Sequence, residues 1–183
     1  GMVISEVEDF RLPTPTAELL SPVTRCTFPD GSAIVILDSS MVNPTAVYEY
    51  TWYNEDGREV FRSTRTNIVR ELAAGEYDVF VTNLVSGCYA ESASITIPEN
   101  IRIPNFEIVT SPSTCTESTG TAQIIFNESF NVVDIEWLTP NGYSNHIFLI
   151  DQPPGEYEVT VTDDKGCSST QTATIESLIY TFN

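Results

Sequence analysis

The sequence predicts an all-β chain folded as two β-sandwich units in tandem. Three observations carry this: one set of landmarks occurs twice in the same order, apolar and polar residues alternate along the clearest segments, and turn signals recur at short intervals. A chain of 183 residues holds one large domain or two of about 90 residues, because domains mostly run ~50–200.

The landmarks are Cys26-Thr27 with Gly31-Ser32-Ala33, answered by Cys115-Thr116 with Gly120-Thr121-Ala122. Next come Trp52 with Asp56-Gly57, answered by Trp137 with Asn141-Gly142, and then Gly75-Glu76-Tyr77, answered by Gly155-Glu156-Tyr157. Gly87-Cys88 and Gly166-Cys167 end the two copies. Self-similarity at this period marks a repeating structural unit. Glu8-Asp9-Phe10-Arg11-Leu12-Pro13 also matches Glu99-Asn100-Ile101-Arg102-Ile103-Pro104, and Glu176-Ser177-Leu178 is a looser third echo. The expected division is residues 1–13 as a tail resembling the end of a preceding repeat, 14–100 as repeat 1 and 101–183 as repeat 2. The chain then reads as an excerpt of a longer array. Pro98 and Pro104 restrict their neighbours and make the joint short and semi-rigid.

Within each copy the elements follow in order. Ser32–Leu37 and Gln123–Phe126 are apolar and β-branched, as buried strands are. Tyr48, Tyr50 and Trp52 share one face of the next strand, with Tyr53 on the other; copy two places Val133, Ile135 and Trp137 there. This face is expected to be core, which leaves Tyr53 and Tyr143 as candidate exposed aromatics for glycan contact. Asp56-Gly57 and Asn141-Gly142 supply the positive φ that tight hairpins need. Asn67–Ala73 is a short helical candidate. Tyr77-Asp78-Val79-Phe80-Val81 and Tyr157-Glu158-Val159-Thr160-Val161 alternate cleanly, so Tyr, Val and Val point inward. Six or seven short antiparallel strands per unit make a sandwich.

Each unit can bury only a modest core and benefits from a covalent staple. Four cysteines allow three pairings, and the repeat selects Cys26–Cys88 and Cys115–Cys167. Bridges closing loops of this size stabilise by ~4 kcal/mol in the chain-entropy model. Zinc is disfavoured because the cysteines are isolated and His146 is the one histidine. Disulfides imply a periplasmic, cell-surface or secreted location. No signal peptide is visible; Gly1-Met2 resembles a cloning remnant, and the targeting segment is expected upstream. The longest apolar run, Ala33–Leu37, is too short to cross a bilayer.

The net charge of −18 opposes nucleic-acid binding and divides almost evenly, −8 for residues 1–102 and −10 for 103–183. Such charge serves solubility or cation binding. Candidate calcium ligands are Asp163 and Asp164, the Asn54-Glu55-Asp56 turn, and Glu99, Asn100 and Glu107 at the joint. Calcium needs six to eight converging oxygens and no DxDxDG loop occurs, so turn chemistry is the simpler reading of Asp163 and Asp164. No cofactor is firmly implied.

Together, the Cys-x4-Gly, the Trp with a glycine five residues on, and the GxYxVxVTDxxGC ending resemble the Ig-like repeats of large surface adhesins in gliding Bacteroidetes. The related PKD-type domains share the Trp52–Gly57 hairpin with Asp56 in place. The resemblance covers residues 18–98 and 105–176. The first copy departs from it at Asn83 and by one added residue. It implies two tandem Ig-like sandwiches, secreted or surface-anchored, acting in adhesion or as spacers beside neighbouring repeats. Tyr77 and Tyr157 then resemble the tyrosine corner of Ig domains, whose hydroxyl returns to backbone upstream, and Trp52 and Trp137 the central core aromatic. No Gly-x-Ser-x-Gly, phosphate-cradling loop or nucleophile–base pairing is present, so no enzyme is expected. The alternative function is a carbohydrate-binding accessory module of a glycan-capture system.

Overall fold

The computed structural model describes residues 14–39, 42, 45–90, 92–114 and 116–178, and is all-β over them. The chain divides into two compact units. The first holds residues up to Thr24 and Phe28–Asn100; the second holds Ile101 onward together with the segment Arg25–Thr27. The expected tail, residues 1–13, lies outside the described residues.

The first unit contains β1 (Pro15–Ser21), β2 (Gly31–Leu37), β3 (Tyr48–Asn54), β4 (Glu59–Ser63), β5 (Ile68–Leu72), β6 (Gly75–Asn83) and β7 (Ala93–Ile97). They form a three-stranded sheet, β1-β2-β5, and a four-stranded sheet, β4-β3-β6-β7. The second unit contains β8 (Phe106–Ser111), β9 (Ser113–Thr114), β10 (Gly120–Phe126), β11 (Val132–Thr139), β12 (Gly142–Ser144), β13 (Phe148–Gln152), β14 (Gly155–Asp163), β15 (Ser168–Ile175) and β16 (Ser177–Leu178). Its sheets repeat the same orders, β8-β10-β13 and β12-β11-β14-β15. Non-sequential strands paired across two antiparallel sheets are Ig-like topology. A parallel Val23–Glu99 bridge in the first unit has its counterpart in the short parallel β9–β16 pair of the second. In both units, therefore, the segment after the first strand pairs in parallel with the segment that follows the last strand of the four-stranded sheet.

The register explains the core. Trp52 faces Val79 across β3 and β6, and Trp137 faces Val159 across β11 and β14. Both tryptophans are fully buried, packed with Ala33, Val35, Val69, Val81 and Ile97 in the first unit and with Ala122, Ile124, Leu149, Val161 and Ile175 in the second. Each unit thus has its own hydrophobic cluster. A core Trp truncated to Ala typically costs about 3–5 kcal/mol.

Two expectations are corrected. Asn67–Ala73 is not a helix: β5 occupies Ile68–Leu72, because β-branched Ile68 and Val69 pair with Ile34 and Ala33, and Asn67 Nδ2 donates to Val35 O at 2.7 Å. Glu71 then takes φ +60°, inside a register shift, and Asp151 does the same at φ +53°. These are bulges in which one residue leaves the extended conformation. Val133, placed on the core face by alternation, is instead 64% exposed. A bulge between Val132 and Asp134 shifts the register and turns Val132 toward the core in its place.

The glycine five residues after each Cys has a steric reason. A Cβ on Gly120 would lie 2.5 Å from Ile175 Cγ2 and 2.8 Å from the Gln152 carbonyl oxygen; on Gly31 it would lie 2.6 Å from that of Leu72. Gly120→Ala is expected to lose about 1–3 kcal/mol in urea denaturation, since backbone as well as side chain must move. The tyrosines close each unit: Tyr77 Oη donates to Ala73 O at 3.1 Å, and Tyr157 Oη to Pro153 O at 2.8 Å. Burial pushes both phenols above their ordinary pKa. Folding therefore favours the protonated phenol. This contribution is intact below about pH 10, where the unfolded phenol is also protonated, and is lost as pH rises through the higher folded value. Tyr157→Phe is expected to cost about 1 kcal/mol at pH 7 and to flatten the alkaline fall in stability followed by denaturation between pH 8 and 11.

Candidate functional site

The sequence-selected residues sit in three places: the glycine-cysteine turns, the aromatic strands and the joint. In the β14–β15 turn, Asp163 is buried and its Oδ1 accepts the backbone N–H groups of Lys165 and Cys167, each at 2.9 Å. The carboxylate is engaged in closing the turn, in the manner of an Asx motif. Asp164 is exposed, with Oδ2 accepting from Asn131 Nδ2 at 3.2 Å. In the first unit Asn83 occupies the place of Asp163, and its Oδ1 accepts from Val85 N at 2.9 Å and Ser86 N at 3.3 Å.

The cysteine pairing differs from the expected one. Cys26 is bonded to Cys167, 141 residues later, and Cys88 is an exposed free thiol. Cys115 lies outside the described residues. The reason is positional: Arg25–Thr27 belongs with the second unit, and Cys26 N donates to Lys165 O at 3.1 Å. The loop is thereby carried to the β14–β15 turn rather than to Cys88. Repeat logic pairs cysteines within a copy; the chain pairs the first cysteine of one copy with the last of the next. Closing a loop of 141 residues stabilises on the order of 5 kcal/mol in the chain-entropy model.

Among the aromatics, Tyr48 and Tyr50 are half-buried against the first core, and burial, then the neighbouring Tyr48, raises the Tyr50 pKa. Tyr53 is half-buried and meets Phe80 edge-on, with ring centroids 5.5 Å apart. Tyr143 is 74% exposed on β12, beside a groove of about 340 Å³ formed with Asp134, Ile135, Glu136, Ser144 and Asn145. The two candidate glycan rings thus lie in different units. Trp137 Nε1 donates to the His146 carbonyl at 2.8 Å, whereas Trp52 Nε1 is buried without an acceptor among the described residues. His146 sits in the link between β12 and β13, not on a strand.

At the joint, Glu99 and Asn100 are exposed, and Asn100 N donates to Val23 O at 2.7 Å. Glu107 is exposed on β8 opposite Ile125. Glu55 and Asp56 project from the β3–β4 hairpin, while Asn54 Oδ1 accepts from Arg58 N at 2.9 Å. No group of three or more His, Cys, Asp or Glu gathers as a metal site among the described residues. Beside that hairpin, Arg62 bonds Glu59 at 2.6 Å and Glu49 at 2.9 Å, and the Arg62 hydrogen bond lowers the Glu59 pKa. Sequence reasoning missed a groove of about 730 Å³ lined by Asn54, Phe61, Ile68, Arg70, Glu71 and Tyr77. No sequence signal marks it, because Arg70-Glu71-Leu72 at the bulge resembles ordinary strand sequence.

No family model matches the sequence, and no curated protein matches it either. Solved structures do align with the chain. Three N-terminal domains of the outer capsid protein Hoc of bacteriophage RB49 align at 12% identity and a TM-score of 0.46, covering 91% of this chain and 59% of that one. This chain therefore spans about three fifths of the Hoc fragment. Murine CEACAM1b aligns at 11% identity and a TM-score of 0.37, covering 90% of this chain and 100% of that one. A two-domain fibronectin type III segment of chicken tenascin aligns at 14% identity and a TM-score of 0.36, covering 90% and 99%. The strand orders within each unit, taken on their own, make the chain a tandem of two Ig-like β-sandwiches.

Proposed function

We propose that the chain is a non-catalytic adhesion or spacer module, a stretch of a longer array of Ig-like repeats displayed at a cell surface, secreted or held in a periplasm. The observation that carries the reading is the duplication itself: two units with separate cores repeat one strand order and one core register. Duplication of a scaffold suits extension and multivalent contact. The Cys26–Cys167 bond supports an oxidising compartment. No helix among the described residues is long and apolar enough to cross a membrane. The resemblance of both copies to surface-adhesin repeats of gliding Bacteroidetes supports the same assignment.

A second reading, a carbohydrate-binding accessory module, is favoured by one feature. The exposed Tyr143 ring stands beside Asp134, Glu136 and Asn145, a stacking surface flanked by hydrogen-bonding groups. The adhesion reading predicts that beads carrying the chain resist shear on protein-coated surfaces, and that Tyr143→Ala and Tyr53→Ala leave detachment unchanged. Unimpeded detachment of wild-type beads from every protein surface would sink adhesion and leave the spacer role. On a glycan array, binding lost at least tenfold in Tyr143→Ala would establish the sugar reading, and no binding by wild type would end it.

A further inference from the structure

The two glycine-cysteine turns share their backbone hydrogen bonds and differ in what covers them. In the second unit, Asp163 N donates to Cys167 O at 3.0 Å and Gly166 N to Asp163 O at 3.0 Å; in the first, Asn83 N donates to Cys88 O and Gly87 N to Asn83 O, both at 2.8 Å. Gly166 and Gly87 have the same φ, +74°. At the second turn, Thr27 lies so close that a Cβ on Gly166 would overlap its Cγ2, Cys26 bonds Cys167, and Cys167 is fully buried. At the first turn nothing among the described residues lies within 4 Å of the equivalent position on Gly87, and Cys88 is exposed. Around this bare turn stand exposed apolar side chains, Leu84, Val85 and Tyr89, the last two above 70% exposed at 72% and 76%.

From this pairing of a covered and an uncovered copy we infer that the Asn83–Cys88 turn is the docking seat for the Cys-Thr loop of a preceding repeat, which covers Gly87 and forms a disulfide with Cys88. The occupant is defined by the occupied seat: Arg25-Cys26-Thr27, from the first sequence copy, fills that place at Cys167. The loop's Cys N–H would donate to Ser86 O, as Cys26 N does to Lys165 O. The echo of Glu99–Pro104 in Glu8–Pro13 supplies the sequence argument for a repeat upstream. Each repeat would then be linked to the next.

The bond forms by thiol–disulfide exchange with a disulfide oxidant such as oxidised glutathione or an oxidoreductase. The Cys88 thiolate attacks the oxidant's S–S bond, making a mixed disulfide and releasing one thiolate. The thiolate of the arriving loop then attacks the Cys88 sulfur, forming the new S–S bond and releasing the second. Two electrons pass to the oxidant, whose two sulfurs leave as thiols carrying the two protons.

The inference rests on the array reading and is independent of adhesion. The test places an additional copy of residues 14–104, joint included, ahead of residue 14 in the full chain, refolds it in glutathione redox buffer, and maps disulfides by non-reducing peptide mass spectrometry. The expected result is a bond between Cys26 of the added copy and Cys88 of the original first unit, with Cys26–Cys167 intact and Cys88 alkylation slowed at least tenfold. Cys26→Ser in the added copy should restore the parent rate. Three results overturn the inference: Cys88 alkylating at the parent rate while Cys26–Cys167 is intact, the added Cys26 pairing within its own copy or between chains, or Cys26–Cys167 itself failing to form. None of these alters the bead-detachment result, so the two proposals fail separately.

Discussion

Period-two burial along β6 and β14 is the constraint on which each unit depends. Tyr77, Val79 and Val81, and their counterparts Tyr157, Val159 and Val161, face inward from the central strand of the larger sheet. Every other element is placed by what must meet that row. The tryptophans sit directly across from Val79 and Val159, and β7 and β15 continue the pairing on the other side. A one-residue slip would turn the whole row to solvent, so a buried face fixes the register strongly. The hydroxyl of the tyrosine at the start of the row then ties the strand to the turn it has just left.

That constraint was largely legible in the sequence, because strict alternation and a buried Trp impose a pattern on nearby residues. The central strands, the hairpins at Gly57 and Gly142 and the inward tyrosines could all be read this way. Local exceptions were not legible. Glu71 and Asp151 adopt positive φ although neither is glycine, and nothing in Arg70-Glu71-Leu72 marks a bulge. Val133 illustrates the same limit: alternation assigns its face only while the ladder is unbroken, and the bulge beside it reverses the assignment.

The cysteines show a different limit. Equivalence between copies tells which residues correspond, but correspondence does not say which ones meet. Cys26 corresponds to Cys115 and Cys88 to Cys167, yet the bond runs from the first of one copy to the last of the next. The three residues Arg25–Thr27 decide this by belonging with the unit that follows them. Asp163 is a simpler case: both hydrogen bonds to its Oδ1 lie within five consecutive residues, and turn chemistry was readable from that short span.

The Cys26–Cys167 bond also sets the route of mechanical load. Pulled from its two ends, the chain carries tension along the residues before Cys26, across one sulfur–sulfur link, and along those after Cys167. The strands from β2 to β14, with both tryptophans and most of each core, lie on the slack side of that shunt. Extending them first requires the link to be reduced, which would release 141 residues, roughly 470–500 Å of contour at ~3.3–3.6 Å each. Under traction the two folds are thus shielded by a covalent bypass, and the chemical poise of the surroundings decides whether the chain behaves as a short tether or a long one.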